Sequence, residues 1–511
     1  MINNKKIKIL LINPRTYPGS GIDINEDKHP PFGLAYLAAY MKKNGYDIDI
    51  LDMPASFVAD DKISEYVTNG GFNIVGITGM THQITNGCNL ARNLKQDNPD
   101  LIVVLGGIHA TYCYKELLAQ KPSFIDFIIR GEGEKTFSEL IRAIENKSKD
   151  FQQIKGLAFL QNNELVVTED RGFIEDLNDL PLPARELLPM KEYFSGERIF
   201  GNSMIEVMAS RGCPYECIFC SSPDYWKRKI RFRSVENVIN EIKLLKNTYN
   251  IRYFVFLDDG LTLRKDFLYQ FCQSLIEDKV NIKWRCLARV DQVNKETLLL
   301  MKEAGCVKIC YGVESGNQQI LDRANKKITI DKIKSAFSLT HEVGIATLAL
   351  MIIGHPHETK ETIDQSIGLI RQLRPFRYVF QCMTPYVGTK LFNDIAKDTG
   401  IILSNKWEDY RSTERPMFVP FGLDEFTILN YHDKFMEENA SLKHVLRRIF
   451  IGFSLAGKDI FNKKFLLYPL YNAIYKESPS SIRKLFDLSL NNLVLPFVRA
   501  ARRNRGKCNV C

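Results

Sequence analysis

The stretch Ile205-Glu206-Val207-Met208-Ala209-Ser210-Arg211-Gly212-Cys213-Pro214-Tyr215-Glu216-Cys217-Ile218-Phe219-Cys220 runs from a short apolar strand straight into three closely spaced cysteines. Thiolates separated by three and then two residues can wrap one metal centre from a single loop. Three ligands are one short of the four that close a structural zinc or iron–sulfur site, so a coordination position stays open for substrate. The alternative is a three-cysteine zinc site completed by a distant fourth ligand.

Outward from this loop, short apolar runs alternate with helical patterns. Ile205–Ala209, Tyr253–Leu257, Lys283–Leu287, Val307–Tyr311, Thr347–Ile352 and Tyr378–Met383 read as strands. Six strand–helix units predict a partial (β/α)6 barrel of the TIM type over 200–400, with its chemistry on the loops that follow the strands. Cys286, Cys310 and Cys382 fall on those strands and read as small buried side chains.

Towards the amino terminus, Lys8–Ile12, Asp47–Leu51, Ile74–Thr78, Leu101–Leu105 and Phe127–Ile129 are strand-length apolar runs spaced by helices. Pro30-Pro31 opens the first helix, Leu34, Leu37, Ala38 and Met41 stripe it, and Gly45 closes it. Such strands predict a doubly wound, Rossmann-like parallel sheet over 1–145, with a ligand crevice at the carboxyl ends of its strands. Thr78-Gly79, Gly106-Gly107-Ile108-His109-Ala110-Thr111 and Gly131-Glu132-Gly133-Glu134 sit at those ends. The glycines there serve either tight turns or close approach of a large ligand. Residues 146–199 read as a linker, with a hairpin at Asn162-Asn163 and an extended Leu180-Pro181-Leu182-Pro183. The whole is an α/β chain with a mostly helical basic region over 401–511.

Apolar residues make up 45% and charged residues 25% of 511, an ordinary globular balance that disfavours disorder. No apolar run reaches the roughly 18 residues of a membrane span. Met1 to Leu11 has lysines and an apolar stretch of only about six residues, followed by Asn13-Pro14, and reads as a first strand of a cytoplasmic protein. The net charge of +9 is carried by the tail: from Ser441 onward there are fourteen Lys/Arg against three Asp/Glu. Leu446, Ile449, Phe450 and Phe453 at helical spacing beside Lys443, Arg447 and Arg448 form a basic amphipathic pattern. It fits a packed helical cap with a solvated face, or peripheral contact with an anionic inner-membrane surface. No nucleic-acid-binding module accompanies the charge. Twelve cysteines in a cytoplasmic chain point to metal or redox chemistry more than to disulfides. Cys508 and Cys511 have chelating spacing but read as incidental thiols at a chain end.

The Cys213-x3-Cys217-x2-Cys220 loop after the first barrel strand resembles the radical SAM enzymes. The resemblance implies a [4Fe–4S] cluster on these three cysteines, whose fourth iron chelates S-adenosylmethionine (SAM), and reductive cleavage of SAM to a 5′-deoxyadenosyl radical. It further implies SAM contacts at Phe219 (adenine), Asp258 and Asp259 (amino group), Glu314 and Ser315 (ribose and carboxylate), and Gly354 in Gly354-His355-Pro356-His357-Glu358-Thr359. Glu358 and Thr359 have a helix-capping reading, and His355 and His357 that of plain loop residues.

The first domain resembles the cobalamin-binding domain fused to a large subgroup of these enzymes. This implies cobalamin contacts at Thr78, Gly79, Gly106, Gly107, His109, Gly131, Glu132 and Gly133. In free-standing cobalamin domains an Asp-x-His-x-x-Gly motif supplies a lower ligand. Here Asp27-Lys28-His29-Pro30-Pro31-Phe32-Gly33 is one residue too long, so base-off cobalamin without a histidine ligand is expected.

Together the resemblances cover about residues 5–400. They imply methyl transfer to a poorly activated carbon of a small-molecule or lipid-like substrate, with an external electron donor such as flavodoxin or ferredoxin. Cobalamin-dependent oxidative cyclisation or rearrangement is the alternative, and a non-catalytic cobalamin or redox sensor a distant one. No catalytic side chain is assigned; Cys310, Tyr311 and Tyr386 are candidates to line the reaction cavity.

Overall fold

A computed structural model of the chain describes residues 7–16, 29–56, 58–193, 204–412 and 415–440. The basic tail from Ser441 onward, with its amphipathic pattern and Cys508/Cys511, lies outside the described residues.

The amino-terminal sheet holds β1 (Lys8–Asn13), β2 (Asp47–Asp52), β3 (Ile74–Thr78), β4 (Ile102–Gly106) and β5 (Phe127–Ile129), then β6 (Leu157–Gln161) and β7 (Glu164–Val167). Its order is β2-β1-β3-β4-β5-β6-β7. The first five strands are parallel, and the last two add antiparallel to one edge. Ile9, Val75, Val103 and Ile128 are fully covered because helices pack on both faces, as a parallel sheet requires. The hairpin β6–β7 was expected in a connector. It instead extends this sheet, since the free edge of β5 offers unpaired backbone groups that another strand satisfies.

The second sheet starts with β8 (Met204–Val207). A short antiparallel ribbon follows, β9 (Ser210–Arg211) with β10 (Arg231–Phe232), enclosing the cysteine loop. The sheet continues through β11 (Tyr253–Phe256), β12 (Lys283–Ala288), β13 (Cys306–Glu314), β14 (Ala346–Ile353) and β15 (Arg377–Cys382). All six are parallel and strictly sequential in space, the open arc of a partial barrel. Phe256, Phe271 and Trp284 pack edge-on at 5.3–5.8 Å between this sheet and its helices. Beyond it, β16 (Gly400–Ile402) and β17 (Phe418–Pro420) pair antiparallel, and the helix Glu425–Ala440 packs on β15. No helix among the described residues is long and apolar enough to cross a membrane.

One apolar core runs through both sheets by way of Ala184, Leu188, Met190 and Tyr193. Beside it, Glu241 on the helix Val235–Tyr249 is 1% exposed and takes Arg185 on one oxygen, at 3.0 Å, and Arg233 on the other. Arg185 also donates to the Glu206 carbonyl at 2.7 Å, pinning the connector to β8. Removing the carboxylate leaves two buried guanidinium groups uncompensated. Glu241→Ala is therefore expected to lower the unfolding free energy by ~3–5 kcal/mol, read by chemical denaturation.

Candidate functional site

The cysteine loop is held at its root by Asp258. This residue follows β11, is buried, and accepts from the Ala209 N–H with both oxygens (3.1 and 3.2 Å) and from the Ser210 hydroxyl. Burial raises its pKa to about 6. Gly212 then turns the chain at φ +103°; a Cβ there would lie 2.0 Å from the Lys229 carbonyl oxygen, so only glycine fits. Mid-loop, Ile218 N–H donates to Ala324 O at 3.2 Å, and Leu391 N–H donates to Ile218 O at 2.8 Å. The Arg289 guanidinium lies 3.5 Å over the Tyr215 ring, and Gln292 donates to the Tyr215 hydroxyl at 2.6 Å. The loops after three other barrel strands thus fix the backbone between the cysteines.

Cys213, Cys217 and Cys220 are half-buried, whereas Cys272, Cys286, Cys306, Cys310 and Cys382 are fully buried. Burial pushes all three loop thiols up, Cys220 to about 12, and neighbouring thiols raise Cys213 and Cys220 further. Three thiols so placed become thiolates against a bound metal cation. Among the described residues no three His, Cys, Asp or Glu side chains gather tightly enough to hold a single metal ion. A cube of iron and sulfide, which spreads its ligands over separate irons, does not require that convergence.

Around the thiols lie the other expected residues. Phe219 packs against the cluster of Met383, Leu391 and Phe418, with His355 edge-on at 6.1 Å. Asp259 accepts from the Ser222 hydroxyl, and its charge acts on both Cys213 and Cys220. Glu314, at the end of β13, has φ +67° and forms a buried ion pair with Lys326 Nζ at 2.6 Å. A Cβ on Gly312 would meet Glu314 Oε1 at 2.5 Å and Lys326 Nζ at 2.7 Å, so this pair needs the glycine. Lys326 Nζ stands 5.9 Å from the Phe219 ring, and its charge reaches Cys217. The sequence reading missed Lys326, because the dipeptide Lys326-Lys327 resembles ordinary surface charge.

Other side chains are turned elsewhere. Both Asp258 oxygens serve the root of the loop, so this carboxylate is not free for an ammonium group. Ser315 is completely buried against Ser366 (3.3 Å) and Asn317 N–H (3.2 Å). Glu358 folds back onto the Gly354 and His355 N–H groups, and burial raises its pKa to about 8. Thr359 caps the helix Lys360–Leu373 by accepting from Thr362 N–H. Tyr311 reaches Thr340 Oγ1 at 2.9 Å and packs on Phe337, between sheet and helix, so it does not line a central cavity. Cys310 is buried, and the Tyr386 hydroxyl donates to the Tyr410 carbonyl at 3.4 Å.

In the first sheet, Thr78, Gly79, Gly106 and Gly107 line the carboxyl ends of β3 and β4. Gly107 (φ +92°) packs so closely that a Cβ would lie 2.7 Å from Thr78 Oγ1, a structural requirement. At Gly106 and Gly131 a Cβ would meet nothing within 4 Å, leaving backbone accessible to a ligand. His109, the second residue of the helix Ile108–Ala119, is fully buried, and neither ring nitrogen has a hydrogen-bond partner among the described residues. Burial lowers its pKa to about 4, so the ring is neutral, with one donor and one acceptor open. An orphaned imidazole at a glycine-lined crevice fits a polar macrocyclic ligand. Trp407 covers it edge-on at 5.0 Å, and Trp407 Nε1 donates to Glu116 at 3.3 Å.

Glu132 departs from its expected role. Its carboxylate takes Arg211 at 2.6 Å, Arg231 at 2.8 Å and the Ile174 N–H at 2.8 Å, and therefore bridges to the second sheet instead of facing the crevice. Gly133 opens the helix Gly133–Glu145, with its Cβ position 3.6 Å from Ile129. His29 Nδ1 pairs with Glu206 at 2.5 Å.

Comparison with known proteins gives the same pair of units. Residues 25–141 match the family model of the B12 binding domain, and residues 207–370 that of the Radical SAM superfamily. The chain is 32% identical over 461 residues to an uncharacterized methyltransferase of Pyrococcus horikoshii, covering 90% of this chain and 95% of that one. It is 30% identical over 470 residues to the anaerobic magnesium-protoporphyrin IX monomethyl ester cyclase of Rubrivivax gelatinosus, covering 91% and 79%. Its fold matches that of the methyltransferase TsrM from Kitasatospora setae (TM-score 0.65, 15% identity, 89% of this chain and 90% of that chain). It also matches the cobalamin-dependent enzyme OxsB (TM-score 0.68, 16% identity, 95% and 75%). With both family models in this order and a 32% identical relative along 90% of its length, the chain belongs to the cobalamin-dependent radical SAM methyltransferase family, and its cofactors are a [4Fe–4S] cluster, SAM and cobalamin.

Proposed function

We propose that this chain transfers a SAM-derived methyl group to a poorly activated carbon of a small-molecule or lipid-like substrate. The observation that carries the reading is the joint build of the two sites. Three half-buried thiols sit on a loop braced by the barrel, and its flanks rest on the same first-sheet loops that line the glycine crevice. When bound, the cluster and cobalamin supply one-electron reduction of SAM and a carrier for its methyl group.

The chain's own part is holding and orienting. Cys213, Cys217 and Cys220 would ligate the cluster. Lys326, a buried cation paired with Glu314 and close to Cys217, offers its remaining donors to the SAM carboxylate, with Glu314 Oε2 left for the ribose. Asp259 is the carboxylate for the ammonium group and Phe219 the apolar wall for adenine; Gly354, packed against Ile428, Met383 and Phe418 with its N–H on Glu358, shapes the turn beside that wall. Thr78, Gly79, Gly106, Gly107, Gly131 and Gly133 form the cobalamin cradle, with His109 bonding a polar group of the macrocycle. The His29–Glu206 pair supports base-off binding, since that imidazole is held by β8. Reducing equivalents come from an external donor such as flavodoxin or ferredoxin, and the basic tail makes peripheral membrane contact if the substrate is lipid-like.

Oxidative ring closure is the second reading, favoured by the 30% identity to the cyclase across 91% of this chain. Incubation with methyl-deuterated SAM and candidate tetrapyrrole, isoprenoid or hopanoid substrates separates the two. A product heavier by a labelled methyl group supports transfer; an unlabelled product that has lost hydrogen supports cyclisation.

Anaerobic reconstitution is expected to load about four irons and one cobalamin per chain. Cys217→Ala should lose the cluster and SAM cleavage while keeping its far-ultraviolet circular dichroism, because ribbon and Asp258 contacts remain. Lys326→Met should weaken SAM binding ~10–100-fold in equilibrium dialysis, the size of a lost charge-assisted hydrogen bond. His109→Phe keeps the ring's bulk and removes both nitrogens; cobalamin affinity should fall about 5–10-fold in absorbance titrations.

A further inference from the structure

Both flanks of the cysteine loop are anchored in the cobalamin-binding domain. On the amino side, Arg211 stands two residues before Cys213 and is enclosed by groups of the first domain. One guanidinium nitrogen donates to Glu132 (2.6 Å), the other to Glu134 (2.8 Å), and the Tyr36 ring lies 5.1 Å away. Arg231, paired with Arg211 across the ribbon, donates to the second oxygen of Glu132 at 2.8 Å and to Ile174 O at 2.6 Å. Two guanidinium groups and two carboxylates thus close a buried, charge-balanced cluster; none of the four side chains is more than 8% exposed. On the carboxyl side, Tyr225 ends the short helix after Cys220 and packs edge-on to Tyr112 at 6.4 Å.

The same contacts continue into the crevice. Glu132 follows Gly131, whose N–H donates to Thr111 Oγ1 at 3.0 Å, and the Thr111 hydroxyl donates to the Gly107 carbonyl at 2.8 Å. Hydrogen bonds joined by short runs of chain therefore lead from Gly107 through Thr111 to Gly131, along the backbone to Glu132, across to Arg211 and, two residues on, to the first cluster cysteine. A buried ion-pair cluster is a poor source of stability compared with apolar packing, but it fixes one arrangement of the groups it joins. Nothing in cluster ligation or in the cobalamin cradle needs Arg211, Glu134 or Thr111 directly.

We propose that Thr111, Glu132, Glu134 and Arg211 are positioning residues that couple the two cofactor sites, so that loading the iron–sulfur cluster tightens cobalamin binding. The inference rests on the assignment of the cluster to Cys213, Cys217 and Cys220 and of cobalamin to the Gly106–Gly107 crevice. Ordering of the cysteine loop is transmitted to the loop at Gly131, which then no longer has to be ordered when cobalamin arrives. Linkage makes the effect reciprocal: cobalamin tightens retention of the cluster by the same factor.

The test measures hydroxocobalamin affinity by anaerobic equilibrium dialysis on the full chain, with and without reconstituted cluster. The wild-type protein is expected to bind about 5–100-fold more tightly with the cluster present. Thr111→Val keeps the branched shape and removes the hydroxyl, and should bring that ratio to about 1. Thr111→Ser keeps the hydroxyl and removes the methyl, and should preserve the ratio; a packing role would give the opposite order. Glu132→Gln should also collapse the ratio, and the Thr111 pair decides the matter if that variant does not fold. As a second readout, cobalamin should alter the electron paramagnetic resonance spectrum of the reduced cluster in the wild type and in Thr111→Ser, and not in Thr111→Val. Iron and cobalamin bound with independent affinities, or a wild-type ratio in Thr111→Val, would overturn the coupling and leave the cofactor assignment standing. A chain that takes up iron but no cobalamin overturns the assignment, and the coupling falls with it.

Discussion

The pairing of buried guanidinium groups with buried carboxylates at the junction of two parallel sheets governs this structure. Each sheet satisfies its own backbone and could pack its own helices, so nothing in the strands dictates how the two should meet. The junction is set by Arg185 and Arg233 on Glu241, and by Arg211 and Arg231 on Glu132 and Glu134. A charge withdrawn from water tolerates little displacement from its counter-charge, because the desolvation cost stays while the attraction falls. Apolar contacts alone, which slide more readily, would leave the loops of the first sheet free to drift against the cysteine loop.

The cysteine loop shows how a site is assembled from elements that do other work. Asp258 spends its carboxylate on the backbone that launches the loop, Gly212 makes the turn, and Arg289 and Gln292 steady Tyr215. The thiols themselves are held partly buried with raised pKa values, and a bound metal cation favours their thiolate form. Lys326 and Glu314 add a buried pair beside the thiols, placed by a left-handed residue and permitted by Gly312. The left-handed backbone at Glu314 lies at the end of a barrel strand, the place where such a fold carries its chemistry.

Much of this was legible in the chain. Both sheets announced themselves through runs of Ile and Val at strand length, and the cysteine spacing pointed to the cofactor class. What could not be read was facing and partnership. Glu132 sits in a glycine-rich turn that looks like a ligand loop, but its partners Arg211 and Arg231 are 79 and 99 residues away. Asp258 and Asp259 are adjacent and chemically identical, yet one serves the backbone and the other faces the thiols. Tyr311 lies on an inner strand whose alternate residues point to opposite sides, and one step of register decides between cavity and helix. The hairpin at Asn162-Asn163 was visible as a hairpin, while the edge it joins depends on which strand ends the parallel run.

The cover that Trp407 places over His109 gives the chain an optical property. The sequence has three tryptophans, and each falls in a different compartment: Trp284 in the barrel core, Trp226 beside Tyr225 behind the cysteine loop, and Trp407 at the glycine crevice. Corrins and iron–sulfur clusters absorb where indole emits, so energy transfer quenches each tryptophan according to its distance from the group that arrives. The protein therefore carries its own set of intrinsic fluorophores, one for the frame, one by the cysteine loop and one by the glycine crevice, and the order in which ligands reach the two candidate sites can be followed without attaching a label.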